Sequence, residues 1–220
     1  MTDVRSLTVT SELLSYAVGH SSYPVDAVLR DLRKDTDKLG AAAGMQVGAD
    51  EGALLTFLAR LVGARNAVEV GTFTGYSSIC IARALPEDGK LICCDISDEW
   101  TKVGRKAWDR AGLSDRIELR LGPGLDTLRE LPPGENLDFV FIDADKGGYV
   151  SYWEQLVPRV RSGGLLLADN VLWSGRIVDE ASDDANVQAL RAFNDLVLHD
   201  DRVEAVVLTA FDGLTIARKK

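Results

Sequence analysis

Five short apolar runs alternate with amphipathic segments along the middle of this chain, and this alternation constrains its fold more than any other feature. The runs have the aliphatic character of buried parallel strands. They are NAVEVG (66–71), KLICCDI (90–96), RIELRLG (116–122), LDFVFIDA (137–144) and GGLLLAD (163–169). The segments between them have helical apolar spacing and span 75–85, 98–111, 124–131 and 147–161. Together they predict an α/β fold, with helices on both faces of a parallel sheet.

The two ends of the chain depart from this pattern. Residues 202–220, RVEAVVLTAFDGLTIARKK, are typical of two strands joined around Asp212-Gly213. They predict an antiparallel hairpin that closes a mostly parallel sheet of seven strands. Residues 1–64 look helical, most clearly over 48–64, and no linker separates them from the rest. The sequence therefore predicts a single domain over 1–220, with a helical cap (1–64) on a sheet core (65–220).

The composition narrows the functional classes. A net charge of −9 argues against a nucleic-acid partner, because phosphates usually require a basic face. The chain has no apolar stretch of membrane-spanning length and no N-terminal secretory pattern, so we expect no membrane partner. Cys93 and Cys94 lie inside an apolar run, and Cys80 makes the cysteine count odd. This usage indicates buried thiols in a reducing compartment, and hence a cytoplasmic protein that acts on small molecules.

The first strand-to-helix turn, VEVGTFTGYSS, indicates which cofactor would bind. Its glycines, Gly71 and Gly75, permit a tight turn and a close approach, but they lack the G-x-G-x-x-G spacing of a dinucleotide site. Glu69 would repel a pyrophosphate and attract the sulfonium and ammonium groups of S-adenosylmethionine. Asp95, at the next strand end, could accept hydrogen bonds from a ribose. The turn favours S-adenosylmethionine over NAD, while a simple salt bridge of Glu69 at a helix start stays an alternative.

Oxygen-bearing side chains follow the fourth and fifth strands. Asp143 ends the fourth, and Asp169 with Asn170 ends the fifth. Because the ends of parallel strands lie at one edge of a sheet, these side chains can converge. Two carboxylates and an amide suit Mg²⁺, Ca²⁺ or Mn²⁺. The alternative is that Asp169 caps the next element and Asn170 forms a turn.

Three motifs carry a resemblance to a known family. EVGTFTGYSS, FIDADKGGY and LLADNVLWSG, in this order and spacing, resemble the cation-dependent O-methyltransferases, which include the catechol and caffeoyl-CoA O-methyltransferases. The match runs from about MQVGADEGALL (45–55) to the terminal DGLTIARK. The resemblance implies a Rossmann-like class I methyltransferase fold and a homodimer.

The resemblance also implies roles for individual residues. It implies metal ligands at Asp143, Asp169 and Asn170, with Lys146 as the general base and Asp143 as the second catalytic residue. The residues that it implies for S-adenosylmethionine are Met45, Val47, Glu69, Gly71, Thr72, Ser77, Asp95, Gly122, Asp143 and Ala144.

The expected reaction is methyl transfer to a vicinal-dihydroxy aromatic acceptor of the catechol or caffeoyl type, with Mg²⁺ as the expected cation. Like charge from that cation favours a neutral Lys146 amine, which could accept the phenolic proton. Trp173 and Tyr149 are candidates for the aromatic wall of the pocket. Thr209 lies near the position of an acidic residue in the catechol enzyme, and Asp145 replaces its tryptophan, so the acceptor stays open.

Two other functional classes fit the sequence less well. A nicotinamide-dependent oxidoreductase predicts G-x-G-x-x-G and often Tyr-x-x-x-Lys, and neither pattern occurs in the sequence. A non-catalytic cofactor-binding module is disfavoured, because the metal and base positions are all filled.

Overall fold

The computed structural model describes residues 7–23 and 25–220. The sequence predicted a helical region over residues 1–64, and residues 1–6 and 24 of that region lie outside the described residues. The remainder of that region forms three α-helices and one 3-10 turn. These are α1 (Ser11–Gly19), α2 (Ala27–Asp37), the 3-10 turn Gly40–Met45 and α3 (Ala49–Leu61).

Seven strands form one sheet in the order β3-β2-β1-β4-β5-β7-β6. They are β1 (Asn66–Val70), β2 (Lys90–Asp95), β3 (Ile117–Leu121), β4 (Leu137–Ile142), β5 (Val160–Ala168), β6 (Val203–Leu208) and β7 (Leu214–Lys219). The first five pair in parallel, and β7 runs antiparallel to both β5 and β6. The predicted mostly parallel sheet and its C-terminal hairpin are confirmed.

Helices cover both faces of this sheet, each over its own apolar core. The helices after α3 are α4 (Tyr76–Ala82), α5 (Asp98–Arg110), α6 (Gly124–Arg129), α7 (Tyr149–Leu156) and α8 (Ala185–His199). Alternation along β4 supplies the two faces: Phe139 and Phe141 join the core beneath α2 to α5, and Val140 and Ile142 join the core beneath α6 to α8. A strand buried on both faces is expected to be apolar along its length, and β4 is apolar except for Asp138.

The strand order reverses at β1, which lies between β2 and β4. In open α/β sheets, ligands bind outside the carboxyl ends of the strands at such a reversal. The ends of β1, β4 and β5 are held together there, because Asp143 N–H donates to Val70 O (2.8 Å) and Asp169 N–H donates to Ile142 O (3.0 Å).

Two elements differ from the sequence prediction. The helix expected over 147–161 ends at Leu156, a 3-10 turn (Val157–Arg159) follows, and β5 already begins at Val160. Pro158 explains this early end, because it has no N–H to donate to the carbonyl oxygen of Glu154 and so cannot continue the α-helix. Helix α8 was not predicted, although it carries the expected signal. Asp184 caps its N terminus, and its buried apolar residues recur every three or four positions: Val187, Leu190, Phe193 and Val197.

None of the helices in the described part of the chain is both long enough and apolar enough to cross a membrane.

Candidate active site

A cleft of about 670 Å³ opens across the carboxyl ends of the parallel strands. It is lined by nearly all the residues predicted from the sequence to form the site. Those lining residues are Met45, Val47, Gly71, Thr72, Ser77, Asp95, Gly122, Asp143, Ala144, Lys146, Asp169 and Asn170. Glu69 and Tyr149 do not line it, because both lie fully buried behind the wall.

The turn after β1 requires glycine at two positions. Gly71 has a φ of +89°, and a Cβ placed on it would lie 1.9 Å from the carbonyl oxygen of Asp143. Gly75 has a φ of +78°, and its Cβ would lie 2.6 Å from Nε1 of Trp108. Only glycine tolerates both the positive φ and the contact. The first of these approaches sets the turn directly against the end of β4, where Asp143 begins the polar cluster.

Asp95 holds this turn from the end of β2. Its Oδ2 accepts from the backbone N–H groups of Thr72 (2.9 Å) and Phe73 (2.7 Å), and its Oδ1 accepts from that of Ser97 (2.7 Å). A carboxylate oxygen can accept more than one hydrogen bond, so Asp95 keeps capacity for a ligand hydroxyl. Phe73 and Trp100 meet edge to face, with ring centroids 5.2 Å apart, and both line the same end of the cleft. That end offers a carboxylate beside aromatic rings.

Glu69 is a buried carboxyl with one oxygen unsatisfied. Its Oε2 accepts from Ser78 Oγ (2.5 Å) and Cys93 Sγ (3.3 Å), whereas Oε1 has no hydrogen-bond partner. Burial raises the pKa of Glu69 to about 7, against the opposing effect of the hydrogen bonds that it accepts, such as that from Ser78. No salt bridge to Glu69 occurs among the described residues, which disfavours the alternative that the sequence left open. A cationic ligand group would satisfy the free oxygen.

The oxygen donors of β4 and β5 meet as predicted. Ile142 and Ala168 are paired across the two strands, so Asp143 and Asp169 follow side by side. Asn170 Nδ2 donates to Asp169 Oδ2 (2.9 Å), and Asp169 Oδ1 is buried without a partner. Burial, and then repulsion from Asp143, raise the pKa of Asp169 to about 7. Asn170 has a φ of 59°, a conformation that asparagine tolerates better than most residues.

These three side chains form a mixed ligand set. Among the described residues, no group of three His, Cys, Asp or Glu side chains could hold a metal. A cation at this edge would therefore depend on the amide oxygen of Asn170 as its third protein donor. Carboxylate and amide oxygens are ligands that Mg²⁺ and Ca²⁺ accept.

Lys146 lies over this cluster, with its ammonium group buried. Its Nζ donates to Asp143 Oδ1 (3.1 Å), Asn170 Oδ1 (2.7 Å) and Tyr149 Oη (2.7 Å). The Tyr149 hydroxyl in turn donates to the carbonyl oxygen of Asp169 (2.9 Å), so its proton points away from Lys146. The lysine is thus fixed by the same residues that could hold a cation.

The two aromatic candidates are placed differently. Trp173 lines the cleft, and its ring centroid lies 5.8 Å from Lys146 Nζ. The prediction that Tyr149 forms part of the pocket wall is wrong, because this ring is fully buried beneath Lys146 and packs against Phe193. From the C-terminal hairpin, the acidic side chain that reaches the cleft is Asp212, whereas Thr209 is exposed outside it.

Glu51 is a site residue that the sequence analysis missed. It lies on the buried side of α3, lines the cleft, and has an unpartnered Oε1. Burial, followed by repulsion from Asp169 and Asp143, raises the pKa of Glu51 to about 9. The signal was present in the sequence, because Glu51 shares a helical stripe with Leu55 and Ala59, where a carboxyl group is out of place.

Gln46 is a second missed residue, and it fastens the Met45–Val47 segment to the cofactor turn. Its Nε2 donates to Oγ1 of Thr36 (2.8 Å) and Oγ1 of Thr74 (2.9 Å). This buried network joins α2 to the turn between Gly71 and Gly75. The pairing is non-local, and nothing in the sequence spacing indicated it.

Comparisons with known proteins agree with this geometry. The model of a family described as O-methyltransferase matches residues 18–220. Caffeoyl-CoA O-methyltransferase 1 of Zea mays is 38% identical, with 98% of this chain and 87% of the relative covered. A probable caffeoyl-CoA O-methyltransferase of Dictyostelium discoideum is 36% identical, with 95% of this chain and 92% of the relative covered.

Solved structures give the same answer. An O-methyltransferase from Bacillus cereus in complex with SAH has a TM-score of 0.86 at 33% identity, covering 94% of this chain and 97% of that one. TomG from Streptomyces achromogenes, an O-methyltransferase involved in tomaymycin synthesis and solved with SAM, has a TM-score of 0.86 at 30% identity, covering 94% and 95%. The predicted Rossmann-like class I methyltransferase fold is confirmed.

Proposed function

The chain belongs to the O-methyltransferase family, and from its cleft we propose that it methylates one hydroxyl of a vicinal-dihydroxy aromatic acceptor, using S-adenosylmethionine and a divalent cation. The observation that carries this proposal is the convergence of Asp143, Asp169 and Asn170 at neighbouring strand ends, directly beneath a buried lysine. A vicinal diol can chelate a cation held by such a cluster, which would fix the orientation of the acceptor.

The fit of the methyl donor rests on two carboxyl groups at the turn. The unpartnered Oε1 of Glu69 suits the ammonium group of S-adenosylmethionine, and Asp95 suits its ribose hydroxyls. The solved relatives named above carry SAH or SAM, which supports the same assignment. We assign Met45, Val47, Gly71, Thr72, Ser77, Gly122, Asp143 and Ala144 to the same ligand, as residues that line the cleft.

The fit of the cation rests on an unsatisfied buried oxygen. Asp169 Oδ1 has no partner among the described residues, and repulsion from Asp143 disfavours ionisation of Asp169 even with the Lys146 ammonium group beside the cluster. Mg²⁺ suits three oxygen ligands that leave positions for water and acceptor, with Ca²⁺ or Mn²⁺ as alternatives. When bound, the cation would stabilise the phenolate form of the acceptor at neutral pH.

Side chains of the protein would then accept the phenolic proton and exclude water. Lys146 Nζ lies at the cluster, where it could take the phenolic proton of the substrate. The Tyr149 hydroxyl donates to the carbonyl oxygen of Asp169 and accepts from Lys146, so it holds Nζ at the cluster. Trp173 covers one side of the reacting groups and would limit the access of water.

Methyl transfer with and without a chelator tests this proposal. We expect the purified protein to bind S-adenosylhomocysteine but not NAD by calorimetry, and to methylate a panel of catechols by mass spectrometry. EDTA should remove the activity, and excess Mg²⁺ should restore it. Binding without transfer to any diol would favour the non-catalytic module, and EDTA-resistant transfer would contradict the role of the cation.

Replacing Glu69 by glutamine should weaken S-adenosylhomocysteine binding by roughly ten- to hundredfold, because a charged hydrogen bond to the ammonium is lost. The pKa of Glu69 is about 7 in the free protein, and the ionised form is the one that attracts the ammonium. Wild-type affinity should therefore rise between about pH 6 and pH 8, and this rise should be absent from the variant. Glu118→Gln, an exposed change on β3, is the matched control. Unchanged calorimetric affinity in Glu69→Gln would count against this role.

Two further expectations stay proposals. All three cysteines are free and buried, which supports a reducing compartment such as the cytoplasm. The homodimer that the family resemblance implies stays a prediction.

A further inference from the structure

We propose that the acceptor is an uncharged or cationic diol and not a coenzyme A thioester, although several curated relatives are named for caffeoyl-CoA. This inference rests on the proposed function and concerns the same cleft. It follows from the distribution of charge around the place where the acceptor would enter.

The ionisable side chains that line the cleft are mainly acidic. Among the described residues that line it, six are acidic and one, Lys146, is basic. The acidic residues are Glu51, Asp95, Asp143, Asp145, Asp169 and Asp212. A bound dication would offset Asp143 and Asp169, and the methyl donor would engage Asp95. Asp145 and Asp212 would still present negative charge to an incoming acceptor.

Three basic side chains in or beside the cleft, among the described residues, already have acidic or carbonyl partners. Lys146 is buried, and its ammonium group donates to Asp143, Asn170 and Tyr149. Arg176, in the 3-10 turn Trp173–Val178, pairs with Asp184 at 2.7 Å. Arg33 of α2 donates to the carbonyl oxygen of Val47 at 2.8 Å. Lys146 has no N–H left for a phosphate, the charge of Arg176 is offset by Asp184, and Arg33 is not among the residues that line the cleft.

The helix end beside the cleft is also closed to anions. Helix α8 begins next to Asn186, which lines the cleft. A helix N terminus often binds phosphate through its free N–H groups. Here the carboxylate of Asp184 caps it, with Oδ1 accepting from the N–H of Asn186 at 2.8 Å.

Coenzyme A carries a pyrophosphate and a further phosphate monoester. Proteins recognise such groups with arginine, lysine or unsatisfied N–H donors, and they reject them by opposing them with carboxylates. A neutral ester has no such penalty, and a protonated amine on the acceptor would be attracted. The charge of the cleft therefore selects against the thioester while leaving the catechol ring itself acceptable.

Matched acceptors test this inference. We expect kcat/KM for ethyl caffeate and for a catechol amine to exceed that for caffeoyl-CoA by at least about tenfold at low ionic strength, with the gap narrowing as salt is added. Equal or faster transfer to caffeoyl-CoA would overturn the inference and leave the proposed function intact. Absence of transfer to every diol would overturn the proposed function, and this inference with it.

A charge-adding variant tests the electrostatic cause. Asn186→Arg places a cation at the rim of the cleft, and it should raise the ratio of kcat/KM for caffeoyl-CoA to that for ethyl caffeate by about tenfold. Gln188→Arg adds the same charge to the same helix outside the cleft, and it should leave the ratio unchanged. An identical ratio in the two variants would contradict the electrostatic explanation.

Discussion

Replacing Asp169 by alanine should abolish chelator-sensitive methyl transfer, with a loss in kcat of roughly 10²–10³-fold or more, while S-adenosylhomocysteine still binds. Asp169 contributes the buried oxygen of the cluster that has no partner among the described residues. Without it, Asp143 and Asn170 cannot hold a hard dication in the same way. Methyl-transfer rates measured over a series of Mg²⁺ concentrations would separate weakened cation binding from loss of the catalytic step.

Thermal unfolding gives this prediction a readout that is independent of activity. The folded-state pKa of Asp169, about 7, lies above its ordinary value of 3.8. Its protonated form therefore favours folding, and the stability that it contributes is lost as the pH rises through about 7. Asp169→Asn removes the free-energy cost of an ionised carboxylate at this buried position. At about pH 8 the metal-free variant should therefore melt at or above the wild-type Tm.

Added Mg²⁺ distinguishes a ligand from a structural residue. It should raise the Tm of the wild type by mass action but should not raise that of Asp169→Asn. Asp201→Asn, an exposed change in the turn before β6, should respond to Mg²⁺ like the wild type. Full turnover by Asp169→Ala, or an undiminished Mg²⁺ shift in Asp169→Asn, would refute the assignment of this residue as a ligand.

The strand ends were readable in the sequence because the side chains change there from apolar to polar. The last four residues of β5, Leu165 to Ala168, are apolar, and the buried carboxylate that follows must serve another purpose. Since parallel strands end at one edge, the linear positions of Asp143 and Asp169 were enough to bring them together. The positive φ of Asn170 and the close approach of Gly71 to Asp143 occur in the turns that follow these strand ends.

The parts of the site that were missed depend on contacts between distant segments. Glu51 reaches the cluster only because α3 packs over the end of the sheet, and its helical stripe alone did not specify which group it would face. Gln46 bonds to Thr74 across 28 residues. Tyr149 could have pointed to the cleft or to the core, and the choice depends on α8, which supplies Phe193. Such pairings are set by tertiary packing, which local sequence patterns do not encode.

Replacing Lys146 by alanine should lower kcat by roughly 10²–10⁴-fold at about pH 7, with the affinity for S-adenosylhomocysteine nearly intact. The reason is that no side chain would take the phenolic proton of the substrate, so its loss would depend on hydroxide in the solvent. The rate of the variant should therefore climb steeply as the pH is raised. The wild-type rate should level off at lower pH, because Nζ takes the proton there.

A conservative substitution separates charge from proton transfer at this position. Lys146→Arg keeps a cation beside Asp143 and Asn170 but cannot accept a proton, since guanidinium stays protonated in proteins. If Lys146 is the general base, the arginine variant should be as impaired as the alanine variant and should show the same steep pH profile. If the lysine only neutralises the carboxylate, arginine should restore much of the rate. Near-wild-type turnover by Lys146→Arg at about pH 7 would therefore exclude proton transfer through Nζ and leave Lys146 a positioning role alone.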